Sequence, residues 1–308
     1  MIICITPNPA VDRTLILPYL IPGEVHRAER VIIAAGGKGL NVARSIRTLG
    51  SDPLCMGFVG GHAGHLLSEL AEAEGLKSSW TRVSAETRSC VILIASNDDA
   101  TVINEPGAPV TPSDWQQFQM DVSQYISKAS MVCLSGSLPP NSSPNDFRRL
   151  MEILVQSGKP VWVDTSGAAL DAALVQPGVC IKVNYEEISK SLGFEVIEEA
   201  SVARALTILV QRGITACVIT LGAEGAFLGT KEERWHAQGP PVRVVSTVGS
   251  GDSFLGGLVS ALDRGSDWDE ALGDAVAAGT ANTLSAGGGR FSTQEFQDIR
   301  KQIQIKKW

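Results

Sequence analysis

Residues 247–254 read Thr247-Val248-Gly249-Ser250-Gly251-Asp252-Ser253-Phe254. The strand-forming residues Val242, Val244 and Val245 stop just before this stretch. Immediately after it, Phe254, Leu255, Leu258, Val259 and Leu262 fall on one helical face. Strand, glycine turn and helix in direct succession make the repeating unit of α/β folds. Gly249, Ser250 and Gly251 therefore sit where a helix begins. The free N–H groups and positive end of such a helix form a site for an anion. Asp252 stands beside that site. A carboxylate next to an anion hole suits phosphoryl transfer, where amides hold the moving phosphate and the acid takes the acceptor's proton. The other reading makes Asp252 a plain N-cap and the glycines its turn.

The rest of the chain carries the same alternation. Short, near-continuous apolar runs recur at Ile2–Thr6, Leu54–Val59, Met131–Leu134, Val161–Val163, Val179–Val183 and Ala216–Thr220. Runs of this kind fit strands buried on both faces of a parallel sheet. Helical patterns such as His65–Glu74, Asp146–Gln156 and Ala200–Gln211 lie between them. The reading is a doubly wound, mostly parallel α/β sheet flanked by helices, with ligands gathered at the carboxyl ends of its strands. Asp12, Ser137, Asp164, Asn184 and Thr220 each follow a strand and belong at that edge.

The chain has 308 residues, and no linker or low-complexity tract interrupts the alternation, so 1–308 reads as a single domain. Two segments depart from it. Arg13–Leu17 and Val25–Ile33 read as strands, and Ser89–Ala95 and Thr101–Asn104 flank the turn signal Asn97-Asp98-Asp99. Together they predict a small β-sheet lid built from about 13–33 and 88–104. The net charge of −7 with interspersed signs disfavours a nucleic-acid surface. Six scattered cysteines without ligand spacing read as buried, reduced thiols. No apolar run reaches the ~18 residues of a membrane span. A cytoplasmic protein is expected, with no membrane and no nucleic-acid partner.

A second glycine motif, Ala35-Gly36-Gly37-Lys38-Gly39-Leu40-Asn41-Val42-Ala43, also opens a helix. It is neither a Walker A loop nor G-x-G-x-x-G. Two glycine-led helix starts far apart in sequence point to two anions, or to one anion and a polar ligand.

With these go Asn8-Pro9-Ala10-Val11-Asp12, Ser135-Gly136-Ser137-Leu138-Pro139 and Asn184-Tyr185-Glu186-Glu187. Five motifs in this order resemble the phosphofructokinase B branch of the ribokinase-like sugar kinases, over nearly the whole chain. The resemblance implies a ribokinase-like fold whose lid covers the sugar and mediates a homodimer. It implies ATP and Mg²⁺, and a K⁺ site formed partly by backbone carbonyls near Ser246 and Val248. Asp252 would be the general base, and Gly249, Ser250 and Gly251 the anion hole. Asp12, Gly37 and Asn41 would hold the sugar, with Arg88 and the Ser137 hydroxyl on its phosphate. Lys38, Arg27 and Arg88 would form a basic corner for an already phosphorylated sugar. Lys182, Asn184 and Glu187 would serve the nucleotide and its Mg²⁺, with Asp164 a further metal or substrate group. The spacing of Asn184 and Glu187 fits a capping box equally well. Thr220, Gly222 and Gly225 resemble a nucleotide-binding turn, and Asn282 would face the adenine or solvent.

The expected reaction is ATP-dependent phosphorylation of a phosphohexose. Lys38 and its surroundings resemble kinases for fructose 1-phosphate first and tagatose 6-phosphate second, with fructose 6-phosphate third. The rival readings are a kinase for an unphosphorylated sugar and a catalytically idle sugar-phosphate sensor.

Overall fold

The computed structural model describes residues 1–95 and 100–308; the turn signal at Asn97-Asp98-Asp99 lies outside them. The chain enters on β1 (Ile2–Ile5), a fully buried strand. It leaves at once for the small sheet through β2 (Ala10–Leu17) and β3 (Arg30–Gly36), then returns in α1 (Lys38–Thr48). β4 (Pro53–Gly60), α2 (Gly61–Ala73) and β5 (Lys77–Val83) follow in the large sheet. β6 (Arg88–Ala95) and β7 (Thr101–Asn104) complete the small one. α3 (Pro112–Ile126) and α4 (Pro144–Gln156) bracket β8 (Met131–Ser135). Then come β9 (Val161–Asp164), α5 (Gly167–Ala173), β10 (Cys180–Asn184), α6 (Tyr185–Leu192), α7 (Glu199–Gln211) and β11 (Ala216–Thr220). A 3₁₀ turn, Gly222–Glu224, leads into β12 (Ala226–Gly229) and β13 (Arg234–Gln238). α8 (Ser250–Asp263), α9 (Trp268–Asn282), α10 (Thr293–Arg300) and β14 (Gln304–Lys307) end the chain.

The large sheet runs β14-β13-β12-β11-β10-β9-β8-β1-β4-β5. It is parallel from β5 to β11 and antiparallel from β11 to β14. The apolar runs sort onto its two faces. One packs Ile3, Ile5, Met56, Val132 and Val163 against α3 to α7, with Trp115 and Phe118 at the centre. The other packs Ile2, Cys4, Cys55, Cys133 and Trp162 against α1, α8 and α9. In-register pairing lines up Cys133, Cys4 and Cys55 on three neighbouring strands. All six cysteines are free and buried.

The small sheet has the order β3-β2-β6-β7, with β2 and β6 parallel. One of its faces is open: Val31, Ile33 and Ile103 share it and are exposed. The small sheet expected from about 13–33 and 88–104 corresponds to these strands, with one correction. Val25 to Glu29 do not form strand, and Val25 is 92% exposed. β3 starts only where Arg30 finds a partner opposite Ile16. A second correction concerns Val242–Val245, expected as strand. This stretch is irregular, because Pro240-Pro241 breaks it away from β13, whose free edge is taken by β14.

Candidate active site

Two helix starts meet at the carboxyl end of the sheet. α8 begins after Gly249, which takes a left-handed φ of 79° and caps the helix without any side-chain hydrogen bond. The Ser250 amide is spent on the Thr247 carbonyl at 3.1 Å. Helix geometry gives the next amides no intrahelical acceptor. A Cβ on Gly249 would stand 2.3 Å from Gly288 Cα, so only glycine fits there. A Cβ on Gly251 would stand 2.7 Å from Lys182 Nζ. The Lys182 ammonium therefore lies directly over the mouth of α8, adding full positive charge to that of the helix end.

Asp252 is in the first turn of α8 and is 6% exposed. It is not the N-cap, which removes the plain-cap reading. Its Oδ2 accepts a hydrogen bond from Asn41 Nδ2 at 2.8 Å. Burial pushes its carboxyl up from the ordinary range and Asp164 adds to this; Lys38, Asn41 and Lys182 pull it down without reversing the direction. A carboxylate with a raised affinity for protons is suited to accept one.

Asp164, at the end of β9, is fully buried between two cations. Oδ1 meets Lys38 Nζ at 3.0 Å and Oδ2 meets Lys182 Nζ at 3.1 Å. Burial would raise its carboxyl, but the two ammonium groups hold it below the usual range. This corrects its expected role: both oxygens are committed to lysines, so Asp164 orients cations and is not free to ligate a metal. Lys38 opens α1. Burial would lower its ammonium, but Asp164, Asp252 and Glu187 outweigh that and hold it firmly charged.

The expected basic corner is not assembled in this structure. Arg88 spends its fork on the Asn8 carbonyl, through Nε and Nη2, and on the Glu105 carbonyl. Arg27 is exposed in the loop before β3. Lys38 turns to Asp164 instead of joining them, because the buried carboxylate is the stronger partner. Ser137 stays near the corner, its hydroxyl accepting from Asn8 Nδ2 at 3.2 Å. Asp12 lies on β2 against Gly36, where any Cβ would collide with its carboxylate at 2.0 Å. Burial pushes the Asp12 carboxyl up to about 6, with Arg44 and Arg88 pulling it down and Asp252 pushing it up.

At the end of β10, Asn184 and Glu187 form a complete capping box on α6. Glu187 N donates to Asn184 Oδ1 at 2.8 Å, and Asn184 N donates to Glu187 Oε2 at 3.2 Å. One carboxylate oxygen of Glu187 is left over, enough to order a water of a hydrated Mg²⁺. Thr220 ends β11, and its hydroxyl reaches toward the Val183 carbonyl at 3.5 Å. Gly222 (φ 59°) and Gly225 (φ 85°) bracket an exposed turn tied down by His236 and Gln238 of β13. Asn282 requires correction. It is fully buried: Nδ2 donates to the Val248 carbonyl, and Oδ1 accepts from Ser253 Oγ and Arg290 N. It braces α8 from behind and reaches neither adenine nor solvent.

Sequence reasoning missed Arg44, Glu74 and the Gly287–Gly289 loop. Arg44, on α1, donates from Nη1 to Asn41 Oδ1 at 2.9 Å and ion-pairs with Glu74. Its signal, a lone arginine within an apolar helical stripe, was readable, but its partners are too distant in sequence to be named from it.

Comparison with known proteins agrees with this geometry. Residues 3–295 match the description "pfkB family carbohydrate kinase". The chain is 36% identical to 1-phosphofructokinase of Escherichia coli, over 84% of this chain and 83% of that protein. It is 29% identical to tagatose-6-phosphate kinase of Staphylococcus epidermidis, over 99% of each. The crystal structure of phosphofructokinase-2 from Escherichia coli in complex with fructose-6-phosphate superposes with a TM-score of 0.90 at 28% identity, covering 97% of this chain and 98% of that one. A uncapped glycine-led helix bearing a buried aspartate, two lysines bridged by a second aspartate, and a matched domain across almost the whole length lead to one conclusion: this chain belongs to the pfkB family of carbohydrate kinases, which transfer phosphoryl groups to alcohol acceptors.

Proposed function

We propose that the protein phosphorylates a phosphohexose with ATP, with fructose 1-phosphate as the first candidate and fructose 1,6-bisphosphate as its product. Tagatose 6-phosphate is the second candidate and fructose 6-phosphate the third. The observation that carries this reading is Asp252, buried at the uncapped mouth of α8 with Oδ2 held by Asn41.

Asp252 accepts the proton of the acceptor hydroxyl as its oxygen bonds to the γ-phosphorus. The bond to the β,γ-bridging oxygen breaks and ADP leaves. The amides of Gly251 and its neighbours and the Lys182 and Lys38 ammonium groups face the charge that spreads over the transferring group. Asp164 holds both lysines by its two oxygens, so they need not reorganise during transfer. Mg²⁺ would neutralise the nucleotide phosphates, its waters ordered by Asn184 and the spare oxygen of Glu187. Asp12, Gly37 and Asn41 would face the sugar, and Arg88, Arg27 and Ser137 its phosphate once the lid closes. The Thr220–Gly225 turn would receive the nucleotide. For K⁺, the Val248 carbonyl already accepts from Asn282, so a cation there would share that oxygen with the amide.

The exposed apolar face of the small sheet supports homodimerisation through the lid. Among the described residues no helix is long and apolar enough to cross a membrane; a cytoplasmic location is part of the same reading. A coupled ADP-release screen across free and phosphorylated hexoses tests the proposal. Turnover only with a phosphohexose is expected. Turnover with a free sugar alone, or sugar-phosphate binding without ADP release, would replace it with one of the rival readings.

A further inference from the structure

Behind the Asn41–Asp252 hydrogen bond lies a buried charged cluster. Arg44 is 8% exposed. Its guanidinium makes four fixed donations: Nη1 to Asn41 Oδ1 at 2.9 Å and to the Gly288 carbonyl at 2.7 Å, Nη2 to the Ala35 carbonyl at 2.7 Å, and Nε to Glu74 Oε2 at 2.7 Å. Glu74 also receives Arg290 Nη2 at 3.0 Å. These acceptors come from four places: the lid-side end of β3, the residue closing α2, the loop before α10 and α1 itself.

The chemistry of the contact fixes its sense. Arginine offers only donors, so the atom of the Asn41 amide facing Arg44 must be its oxygen. The Nδ2 group is then aimed the other way, at the Asp252 carboxylate. The same loop reaches the anion hole, because Gly288 backs onto Gly249 closely enough to exclude any Cβ. A Cβ on Gly288 would also strike the Asn41 amide, at 2.4 Å. One side chain thus ties together the amide that holds the base, the backbone behind the phosphate site and the last turn of the lid strand.

We propose that Arg44 is a positioning residue for phosphoryl transfer: it locks the Asn41 amide so that Nδ2 holds Asp252 Oδ2 and leaves Oδ1 for the acceptor hydroxyl. This inference rests on Asp252 being the general base. The groups facing Asp252 are Lys38 and Asn41 from α1, Asp164 from β9, Lys182 from β10 and Asp12 from β2. Arg44 touches none of the reacting atoms and acts on Asp252 only through Asn41.

Arg44→Lys keeps the charge and loses the fork, since one ammonium cannot serve all four acceptors. With purified, folded enzyme, kcat should fall about 10-fold or more, while the KM values for ATP and sugar phosphate stay within about threefold. The acid limb of the kcat–pH profile should move to higher pH, because Asp252 loses a hydrogen bond that favours its charged form. In an Asn41→Ala background the same change should cost less than about threefold, since there is no amide left to lock. Equal cost in both backgrounds, or an unmoved acid limb, overturns the proposal. If Arg44→Lys does not fold, Glu74→Gln, which removes one anchor of the guanidinium, is measured in the same two backgrounds, with the same signs expected and a smaller effect. Asp252→Asn is run alongside. If it stays active, the general-base reading fails; if it is inactive and the other effects are additive, only the role of Arg44 fails.

Discussion

The N-termini of α8 and α6 both open near the carboxyl end of β10, yet they are finished in opposite ways. α6 is closed on itself: Asn184 and Glu187 satisfy each other's backbone amides in a full capping box. α8 is left open: a left-handed glycine stands at the cap and no side chain bonds back. A capping box stabilises the free protein and takes two of the amides at the helix start, those of Asn184 and Glu187, out of play. A glycine-led start without a side-chain cap forgoes roughly a few tenths of a kcal/mol of that stability and keeps its amides for a ligand. On the function proposed above, the contrast separates a helix end that supports the site from one that takes part in the chemistry.

The strongest way to break the comparison is Asp252→Asn. The residue lies inside the first turn and not at the cap, so the helix should survive. Removing a general base costs ~10²–10⁴-fold in rate, and kcat should fall into that range while titrated ATP and sugar-phosphate affinities change little. Retention of more than about a tenth of wild-type kcat would take Asp252 out of the reaction.

Gly249→Ala attacks the open helix end itself. It forces a Cβ into left-handed backbone and against Gly288 Cα. A loss on the order of 3 kcal/mol in urea unfolding is expected, together with reduced kcat. An alanine variant with an unchanged midpoint would mean that the glycine start is incidental.

Proton binding sharpens the contrast from the sugar side. The Asp12 carboxyl, ordinarily at 3.8, is pushed up to about 6 by burial. The folded chain thus holds this proton more tightly than the unfolded chain. Ionising Asp12 costs stability above pH 6, and that cost vanishes as pH falls below its ordinary value. Asp12→Asn should therefore melt higher than wild type at pH 7 and lose that advantage near pH 4, while sugar KM worsens at both. Equal melting shifts at the two pH values would contradict the buried-acid account.

The smallest effect belongs to the closed end. Asn184→Ala should cost about 1 kcal/mol through loss of the cap and raise the Mg²⁺ concentration needed for half-maximal turnover. Chelation of Mg²⁺ should stop turnover without lowering Tm of the ligand-free protein, because α6 is capped by its own residues. A chelator-induced drop in Tm would show that metal, not the box, holds that helix start.

The central strands were legible because burial on both faces demands unbroken apolar runs, as in Ile2–Ile5 and Cys180–Val183. The edges were not. β5 reads Lys-Ser-Ser-Trp-Thr-Arg-Val and β13 reads Arg-Trp-His-Ala-Gln, polar sequences that become strands only because a neighbour offers a ladder. Val242–Val245 had the opposite fault: strong propensity with no neighbouring strand among the described residues. In the site, Asp252 and the glycines announced themselves through local pattern. What Lys38 and Asn282 touch did not, because a lysine's partner 126 residues away is a tertiary fact. Chemistry that must sit on a strand end or helix start leaves a local trace, whereas the network orienting it is assembled from remote parts.

The cysteines carry a consequence for measuring motion in this molecule. Cys4, Cys55, Cys133 and Cys217 are fully buried and Cys180 is 4% exposed, all in the large sheet, whereas Cys90 sits at 4% in the small one. Burial also pushes the Cys90 thiol up to about 11 and the Cys55 and Cys180 thiols up to about 12, so the folded chain offers an alkylating reagent almost no thiolate. Labelling then proceeds only through opening events. Mass spectrometry after timed exposure becomes a two-channel clock: a tag on Cys90 marks a small sheet that has come undone, and tags on the other five mark breathing of the large one. Saturating sugar phosphate should slow the first channel well before it touches the second.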